Sequence, residues 1–126
     1  KLYLKAADIY PHHPVPQVPP TADINAVIVE MTSKRLGCTA VVENDTLVGI
    51  ITDGDLRRML NQHDTYRHLT ARDIMTPAPL CVGPDDYAVQ LLEIMQRRNI
   101  TQLIVADEGR LLGFVHLHDL LKEGLV

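Results

Sequence analysis

The sequence predicts an α/β fold of the α+β type, in which one β-α-β-β-α unit occurs twice. A shift of 64 residues aligns the two halves of the chain without a gap. The identical residues that this shift superposes include Pro20 and Pro84, Met31 and Met95, Val41 and Val105, Leu47 and Leu111, and Gly49 and Gly113. Within each half, the spacing of apolar residues changes from a helical period to strand-like runs around polar turns. One such unit is marginal alone, so we expect the copies to pack into one body with pseudo-two-fold symmetry.

The composition favours a globular protein and argues against two kinds of partner. The 126 residues are 46% hydrophobic, and the net charge of -4 is spread without a block of either sign. Nucleic-acid binding usually requires a basic face, which this sequence lacks. No apolar run approaches the roughly 20 residues that cross a bilayer. We therefore expect a cytoplasmic protein with neither a nucleic acid nor a membrane as partner.

The first repeat, with an N-terminal linker arm, is expected to occupy residues 1–66. In the arm, Leu2, Leu4, Ile9 and Tyr10 form a short apolar pattern that fits either one helical turn or an extended segment. Five of the eight prolines fall in residues 11–20 and favour extended backbone there. A helix is predicted over 22–35, capped by Thr21 or Asp23 and ended by Gly37. Its buried stripe is expected to consist of Ile24, Val27, Ile28 and Met31.

A strand pair and a second helix complete the first repeat. Strands are predicted over 38–42 and 47–51, with a polar turn between them. A helix over 53–62 is expected to begin at a cap formed by Thr52 or Asp53. Leu56, Met59 and Leu60 are expected to point inward from it.

The second repeat, over residues 67–126, is expected to contain the same elements. A short helical turn over 69–75 precedes a strand over 80–82. The matching helix is predicted over 87–98, the strand pair over 102–106 and 111–115, and the closing helix over 117–123.

The turn from the second strand to the second helix carries side chains suited to binding a phosphorylated sugar. Gly49 permits close approach of the backbone, Thr52 presents a hydroxyl, and Asp55 lies in the first turn of the helix. Amides at a helix start attract phosphate, a carboxylate accepts hydrogen bonds from sugar hydroxyls, and Arg58 adds a candidate phosphate contact. A simpler interpretation stays open, in which Thr52 and Asp55 only cap the helix.

The duplicated turn resembles that of the tandem cystathionine-β-synthase (CBS) domain pair, also called a Bateman module. The resemblance covers residues 7–125 and implies that two β-α-β-β-α CBS repeats pack through their sheets into one disc with two related clefts. It implicates Thr52 and Asp55 in binding a nucleotide in one cleft, and His116 and Asp119 in the other. Backbone near the second strand of each repeat is also implied to line the clefts, at Gly37, Cys38, Thr101 and Gln102.

Further strings resemble the C-terminal CBS pair of D-arabinose 5-phosphate isomerases, the KpsF, KdsD and GutQ group. They are Lys-Arg-Leu-Gly at 34–37, Thr-Asp-Gly-Asp-Leu-Arg-Arg at 52–58, Ile-Met-Thr at 74–76 and His-Leu-His-Asp-Leu-Leu at 116–121. These enzymes act on the route to Kdo, an acidic sugar of lipopolysaccharide, and carry catalysis on an N-terminal sugar-isomerase (SIS) domain. The resemblance implies that this chain is a regulatory region without catalytic residues, partnered by that SIS domain and by further copies of itself in a homodimer or higher homo-oligomer.

Two features depart from the family pattern. His116 stands where the first repeat has a hydroxyl residue, and Pro11-His12-His13-Pro14 is unusual before the first strand. We expect His12 and His13 to be exposed loop residues. The effector is expected to be a nucleotide, either AMP or ATP or a nucleotide sugar such as CMP-Kdo, and no cofactor is expected.

Three other interpretations of the sequence concern a metal site, a role in dimerisation and a different host protein. His116, His118 and Asp119 form only a weak zinc pattern, since histidines two apart at a strand end do not project together, and we predict no metal site. The module is predicted to sense a ligand, but a purely structural dimerisation module stays an alternative. So does a CBS pair from another host, such as a transporter or a dehydrogenase.

Overall fold

The computed structural model describes residues 3–125, so Leu2 of the predicted arm pattern lies outside the described residues. Two compact units divide the chain differently from the sequence repeats. Val15–Pro79 forms one unit, called here the Thr52 unit, and Lys1–Pro14 joins Leu80–Val126 in the other, called the His116 unit. The arm therefore belongs with the second copy, and residues 67–79 belong with the first. The bounds 1–66 and 67–126 stay a prediction about the sequence copies.

The Thr52 unit is a four-stranded sheet with three helices. Its elements are β1 (Gln17–Val18), α1 (Ile24–Lys34), β2 (Cys38–Glu43), β3 (Thr46–Thr52), α2 (Asp53–Gln62), α3 (Ala71–Ile74) and β4 (Thr76–Pro77). The strands lie in the order β1-β2-β3-β4, with β1 parallel to β2 and the other pairs antiparallel. The core consists of Val18, Ile24, Val27, Met31, Val41, Ile51, Met59, Leu69, Ala71 and Ile74.

Of the helices in this unit, α2 begins where the sequence predicts, whereas α1 begins at Ile24 rather than at residue 22. Asp23 caps α1, because its Oδ1 accepts a hydrogen bond from the Ala26 amide at 2.8 Å. The helix ends at Lys34 and Arg35 follows in the left-handed conformation, with φ of 61°, so Arg35 rather than the predicted Gly37 ends it. Two predicted core residues are wrong, since Ile28 is 40% exposed and Leu60 is 58% exposed. Each lies one position beyond a buried residue, at the rim of the buried stripe.

The two strand pairs have the same register in both copies. Cys38 lies opposite Thr52 in the first pair, and Gln102 lies opposite His116 in the second. Each pair also has one irregular step, between Val41 and Val42 and at the equivalent point between residues 105 and 106. Residues with positive φ form the tight turns, such as Asn44 at 51°. This register brings the start of one strand beside the strand-to-helix turn in each unit.

The His116 unit repeats the plan with a three-stranded sheet. Its elements are β5 (Cys81–Val82), α4 (Ala88–Arg98), β6 (Gln102–Asp107), β7 (Arg110–His116) and α5 (Leu117–Lys122), in the strand order β5-β6-β7. The core consists of Ala6, Ile9, Val82, Ala88, Leu91, Met95, Leu103, Val105, Val115 and Leu120. The predicted α+β fold with two β-α-β-β-α units is therefore confirmed. None of the helices within residues 3–125 is long and apolar enough to cross a membrane.

The arm folds as two short 3-10 helices, Ala6–Asp8 and Tyr10–His12. Of the two forms predicted for the arm, the helical turn is found from Ala6 onward. Extended backbone throughout 11–20 is wrong at Pro11 and His12, because proline is tolerated in the first turn of a helix. Ala6 and Ile9 are buried, which attaches the arm to the core of the His116 unit.

Candidate ligand-binding turns

The Thr52 turn is a capping box at the start of α2. The Thr52 amide donates to Oδ2 of Asp55 at 2.9 Å, and the Thr52 hydroxyl donates to the same oxygen at 3.1 Å. The Asp55 amide lies 3.4 Å from the Thr52 hydroxyl oxygen. Both side chains satisfy backbone groups at the helix start, as the simpler interpretation of the motif predicts.

Asp55 is buried and accepts hydrogen bonds from four donors. Its other oxygen, Oδ1, accepts from the Arg58 guanidinium at 2.7 Å and from the Thr76 hydroxyl at 2.8 Å. Asp55 is 3% exposed, whereas the Arg58 side chain is 56% exposed. Thr76 was missed by the sequence analysis. The Asp55 carboxylate therefore holds the Arg58 guanidinium in place at the surface, where it can still bind an anionic ligand.

A cleft of about 200 Å³ lies beside this turn. Its lining residues are Asp55, Arg58, Met59, Gln62, His63, Asp73, Ile74 and Met75. Small-molecule pockets commonly have volumes of about 300–1,000 Å³, so this cleft suits part of a nucleotide, such as a phosphate or a ribose.

A second cleft of about 270 Å³ lies at the start of α1, lined by Asp23, Ile24, Asn25, Tyr66 and Arg67. It contains none of the predicted site residues, and its Asp23 carboxylate is engaged in capping α1. The cleft beside Asp55 is therefore the better candidate for the predicted ligand.

Gly37 and Cys38 lie beside the Thr52 turn through their backbone. Cys38 is the strand partner of Thr52 and is fully buried, so its backbone rather than its side chain borders the turn. Gly37 has φ of 73°, and a Cβ built on it would lie 3.9 Å from Oδ2 of Asp53. The structure thus brings Gly37, Cys38, Thr52, Asp55 and Arg58 into one neighbourhood.

The His116 turn has the same backbone plan with different side-chain chemistry. The His116 amide donates to Oδ2 of Asp119 at 2.7 Å, which matches the Thr52–Asp55 contact. Nδ1 of His116 accepts from the His118 amide at 3.1 Å, and the two imidazole rings stack with their centroids 4.8 Å apart. An Nδ1 that accepts a hydrogen bond carries no proton, so this contact requires the neutral imidazole.

The surroundings of His116 disfavour its charged form. Burial lowers the pKa of His116 from its ordinary value, and the positive charge of His118 lowers it further. The Asp119 carboxylate raises this pKa, and the charge of His13 lowers it again. The net effect is a lowered pKa, so His116 is neutral near neutral pH.

His13 closes the other side of the Asp119 carboxylate. Its Nε2 lies 2.8 Å from Oδ1 and 2.7 Å from Oδ2 of Asp119, and the side chains are 23% and 13% exposed. The prediction that His13 is an exposed loop residue is wrong, whereas His12 is exposed as predicted. The reason is the contact with Asp119, which lies far away in the sequence; nearby, Tyr10 packs on Gly113, where a Cβ would lie only 2.7 Å from the Tyr10 ring.

Thr101 and Gln102 border the His116 turn. The Thr101 carbonyl accepts from the Leu117 amide at 2.7 Å, and the Thr101 hydroxyl lies 2.5 Å from Oε1 of Gln102. Gln102 is also the strand partner of His116. The structure therefore brings the four predicted residues of this turn together and adds His13. Among residues 3–125, no group of three or more His, Cys, Asp or Glu side chains could hold a metal ion.

Two copies of a β-α-β-β-α unit, each with a capped strand-to-helix turn, define a tandem CBS pair. The profile of the CBS domain family matches residues 6–62 and 71–125, so the chain belongs to this family. It is 41% identical over its whole length to the arabinose 5-phosphate isomerase KdsD of Escherichia coli (strain K12). The resemblance to the CBS domain pair and the closer resemblance to the C-terminal region of arabinose 5-phosphate isomerases are both confirmed. The chain spans 39% of the length of that relative.

Solved structures support the fold. A CBS domain protein from Pyrobaculum aerophilum, complexed with AMP, is 25% identical, with a TM-score of 0.79 and coverage of 93% of this chain and 90% of that chain. The CBS domain of a CBS domain-containing membrane protein from Sphaerobacter thermophilus is 28% identical, with a TM-score of 0.78 and coverage of 96% and 88%, respectively.

Proposed function

We propose that this chain is the regulatory, nucleotide-sensing part of a D-arabinose 5-phosphate isomerase. The observation that carries the proposal is the 41% identity to KdsD along all of this chain. The AMP complex of the Pyrobaculum aerophilum protein supports a nucleotide as the class of effector. On this proposal the catalytic partner is an N-terminal SIS domain, and the whole protein works in the cytoplasm on the route to Kdo and lipopolysaccharide.

The proposed contacts in the Thr52 unit follow from exposure and hydrogen bonding. The guanidinium of Arg58 is the exposed cation of the cleft, so we assign it to a phosphate oxygen. Asp55 has its acceptor positions occupied by Thr52, Arg58 and Thr76. A ribose hydroxyl that reaches Asp55 therefore replaces one of these donors. The amides and carbonyls at Gly37 and Cys38 supply the remaining backbone contacts.

The proposed contacts in the His116 unit are His116, Asp119 and the backbone of Thr101 and Gln102. This turn is richer in imidazoles than the Thr52 turn, and an imidazole N–H donates to carboxylate or phosphate oxygens. We therefore include a nucleotide sugar with a carboxylate, such as CMP-Kdo, beside AMP and ATP as a proposed effector. Feedback by the activated end product is the regulation that such a ligand would provide.

The proposed regulation is a population shift. An effector biases the attached enzyme only if it binds one arrangement of the protein more tightly than another. The bias equals the difference of the two binding free energies, so tight binding without a preference would change nothing.

One observation favours a dimerisation role as a second candidate function. Val29 on α1 and Leu60 on α2 are 65% and 58% exposed, so each leaves apolar surface in water that a partner copy would cover. A homodimer is compatible with sensing, but it could also be the module's sole role. The likeness to part of a membrane protein keeps a different host as another alternative.

The test is calorimetric titration of the chain with AMP, ATP, CMP and CMP-Kdo. We expect at least one to bind, and Arg58→Ala to weaken that binding about tenfold or more, since a hydrogen bond to a charged group contributes about 1.5–3 kcal/mol. Arg57→Ala is the matched control, because Arg57 is the exposed neighbour on the same helix. Arg58 is preferred to Asp55 because replacing the buried Asp55 would also disturb the fold.

Two results would contradict the sensing proposal or the role of Arg58 in it. If none of the four ligands gives heat while light scattering still reports a dimer, the sensing proposal fails and the dimerisation role replaces it. Equal affinities for Arg58→Ala and Arg57→Ala would remove Arg58 from the site.

A further inference from the structure

The two turns differ in the origin of the groups that hold their carboxylates. Asp55 is held by Thr52 and Arg58 from its own turn and helix, and by Thr76. Asp119 is held by the His116 amide and by His13, which lies 106 residues earlier in the sequence. The Asp55 carboxylate thus accepts hydrogen bonds mostly from its own turn and helix, whereas the Asp119 carboxylate depends on His13 of the arm.

The His13 contact occupies both oxygens of Asp119. Its Nε2 lies at 2.8 Å and 2.7 Å from the two oxygens, so it stands between them. A carboxylate is an acceptor only, so Nε2 carries the proton that is shared. His13 takes an acceptor position on each oxygen and the His116 amide takes another on Oδ2, so displacement of His13 opens most of the carboxylate to a ligand hydroxyl.

His13 is the donor that costs least to displace. The other donor is the His116 amide at the start of α5, and displacing it would leave this amide without its acceptor, the Asp119 carboxylate. The His13 side chain is 23% exposed, so water can solvate its imidazole once it leaves Asp119. Displacement of His13 therefore leaves the helix start intact.

The arm is attached in a way that allows this movement. Ile9 is buried at 5% exposure and Tyr10 packs on Gly113, so the arm is fixed up to that point. Beyond it, the His12 amide bonds to the Ile9 carbonyl and the His13 amide to the Tyr10 carbonyl, each at 3.1 Å. His13 follows the last residue of this short 3-10 helix, so its side chain can move without breaking a longer helix.

We propose that His13 is a built-in competitor for Asp119, which closes the His116 turn to hydroxyl-bearing ligands until it is displaced. The inference rests on the proposed function for the class of ligand. It makes the two turns unequal: the same nucleotide binds more weakly at the His116 turn than it would without the arm. Occupation of that turn by ligand is thereby linked to release of the end of the arm.

The test is titration of the whole chain with AMP, comparing His13→Ala with His12→Ala. His12 is the matched control, because it is exposed and belongs to the same 3-10 turn. Both variants are made in the Arg58→Ala background, so that the Thr52 turn contributes least. We expect His13→Ala to bind AMP roughly tenfold more tightly than the background, and His12→Ala to bind like the background.

A spectroscopic measurement checks the contact itself. In a histidine side-chain ¹H–¹⁵N spectrum, the Nε2–H of His13 should give a signal protected from exchange with water, and Asp119→Ala should abolish that protection. Saturating AMP should abolish it in the wild-type chain as well. Protection that persists at saturation of the His116 turn would overturn the competitor role.

The outcomes separate this inference from the proposed function. Binding that is unchanged or weakened in His13→Ala overturns the competitor role but leaves nucleotide sensing in place. No AMP binding by the wild type or by His13→Ala overturns nucleotide sensing for this probe, and the competitor role with it. Tighter binding by His13→Ala supports both.

Discussion

At the scale of single residues, His116 offers a direct test of the electrostatics of its turn. Burial, the charge of His118 and the charge of His13 lower the pKa of His116 below its ordinary value of 6.5, against the opposing effect of Asp119. We expect His118→Ala to raise this pKa and Asp119→Asn to lower it further. NMR titration of the imidazole carbon-bound protons measures both shifts. A His116 that titrates at its ordinary pH in the wild type would contradict the structure of the turn.

The same lowered pKa of His116 affects stability in a defined direction. The unfolded chain binds the proton more readily than the folded chain, so the contribution to the free energy of unfolding is fully present above pH 6.5. It is lost as the pH falls below that value and through the lowered pKa. Chemical denaturation at neutral and mildly acidic pH should therefore show a smaller acid loss for His116→Gln than for the wild type.

The sequence predicted the candidate site residues that are close together in the chain and missed the partners that are far away in it. Thr52, Asp55 and Arg58 occur within one turn and helix, so their spacing alone places them together. Thr76 lies 21 residues from Asp55 and His13 lies 106 residues from Asp119, and these contacts depend on packing. The unusual proline-flanked histidine pair was the available signal for His13, but its partner could not be inferred from spacing.

At the scale of elements, Gly113 is the point where the arm meets strand β7. A Cβ at this position would lie 2.7 Å from the Tyr10 ring and 3.1 Å from the Tyr10 Cβ. We expect Gly113→Ala to destabilise the chain by about 1–3 kcal/mol, the usual cost of overpacking. Urea denaturation followed by circular dichroism measures the change.

Gly54→Ala is the control for that substitution. The nearest atom to its added Cβ would be the Thr52 hydroxyl at 3.5 Å, an ordinary contact with the residue that caps α2. It should stabilise the chain by about 0.5–1 kcal/mol, because alanine is the better helix former. A Gly113→Ala chain as stable as Gly54→Ala would mean that the arm does not pack on β7.

The sequence predicted helix bounds well where side chains cap the ends. The predicted helix over 53–62 is the observed α2, since Thr52 and Asp55 form a complete capping box at its start. The α1 stripe was right in period but too wide, because Ile28 lies at its exposed rim. Helical period fixes the centre of a buried face, whereas its width depends on what packs against it.

At the scale of the whole molecule, the contrast between repeats and compact units can be measured with two fragments. The fragment 15–79 contains all ten residues of the core of the Thr52 unit. The fragment 1–66 has nearly the same length, but it lacks Leu69, Ala71 and Ile74 of that core. We expect 15–79 to show the more cooperative thermal unfolding in circular dichroism, because its apolar surface is buried within the fragment.

The opposite ranking of the fragments would mean that the repeat bounds are also the structural bounds.

The division into the compact units Val15–Pro79 and Lys1–Pro14 with Leu80–Val126 could not be predicted from the sequence, for a physical reason. The 64-residue shift reports which segments are copies of each other, and copies need not pack with their own sequence neighbours. Assignment of the arm depends on Ala6 and Ile9, which are buried with side chains from the far end of the chain.

The placement of the arm also has a consequence for the order of events during synthesis. A ribosome delivers every residue of the Thr52 unit before residue 80 appears, so that unit can close while the chain is still growing. Within this region, residues 3–14 emerge before the Thr52 unit, and the residues they pack on emerge after it. At about 5–20 residues per second, Ile9 and Tyr10 are made roughly 5–21 s before Gly113 of the sheet they pack on. During that interval their apolar side chains are exposed and can bind chaperones, and His13 lacks its partner Asp119.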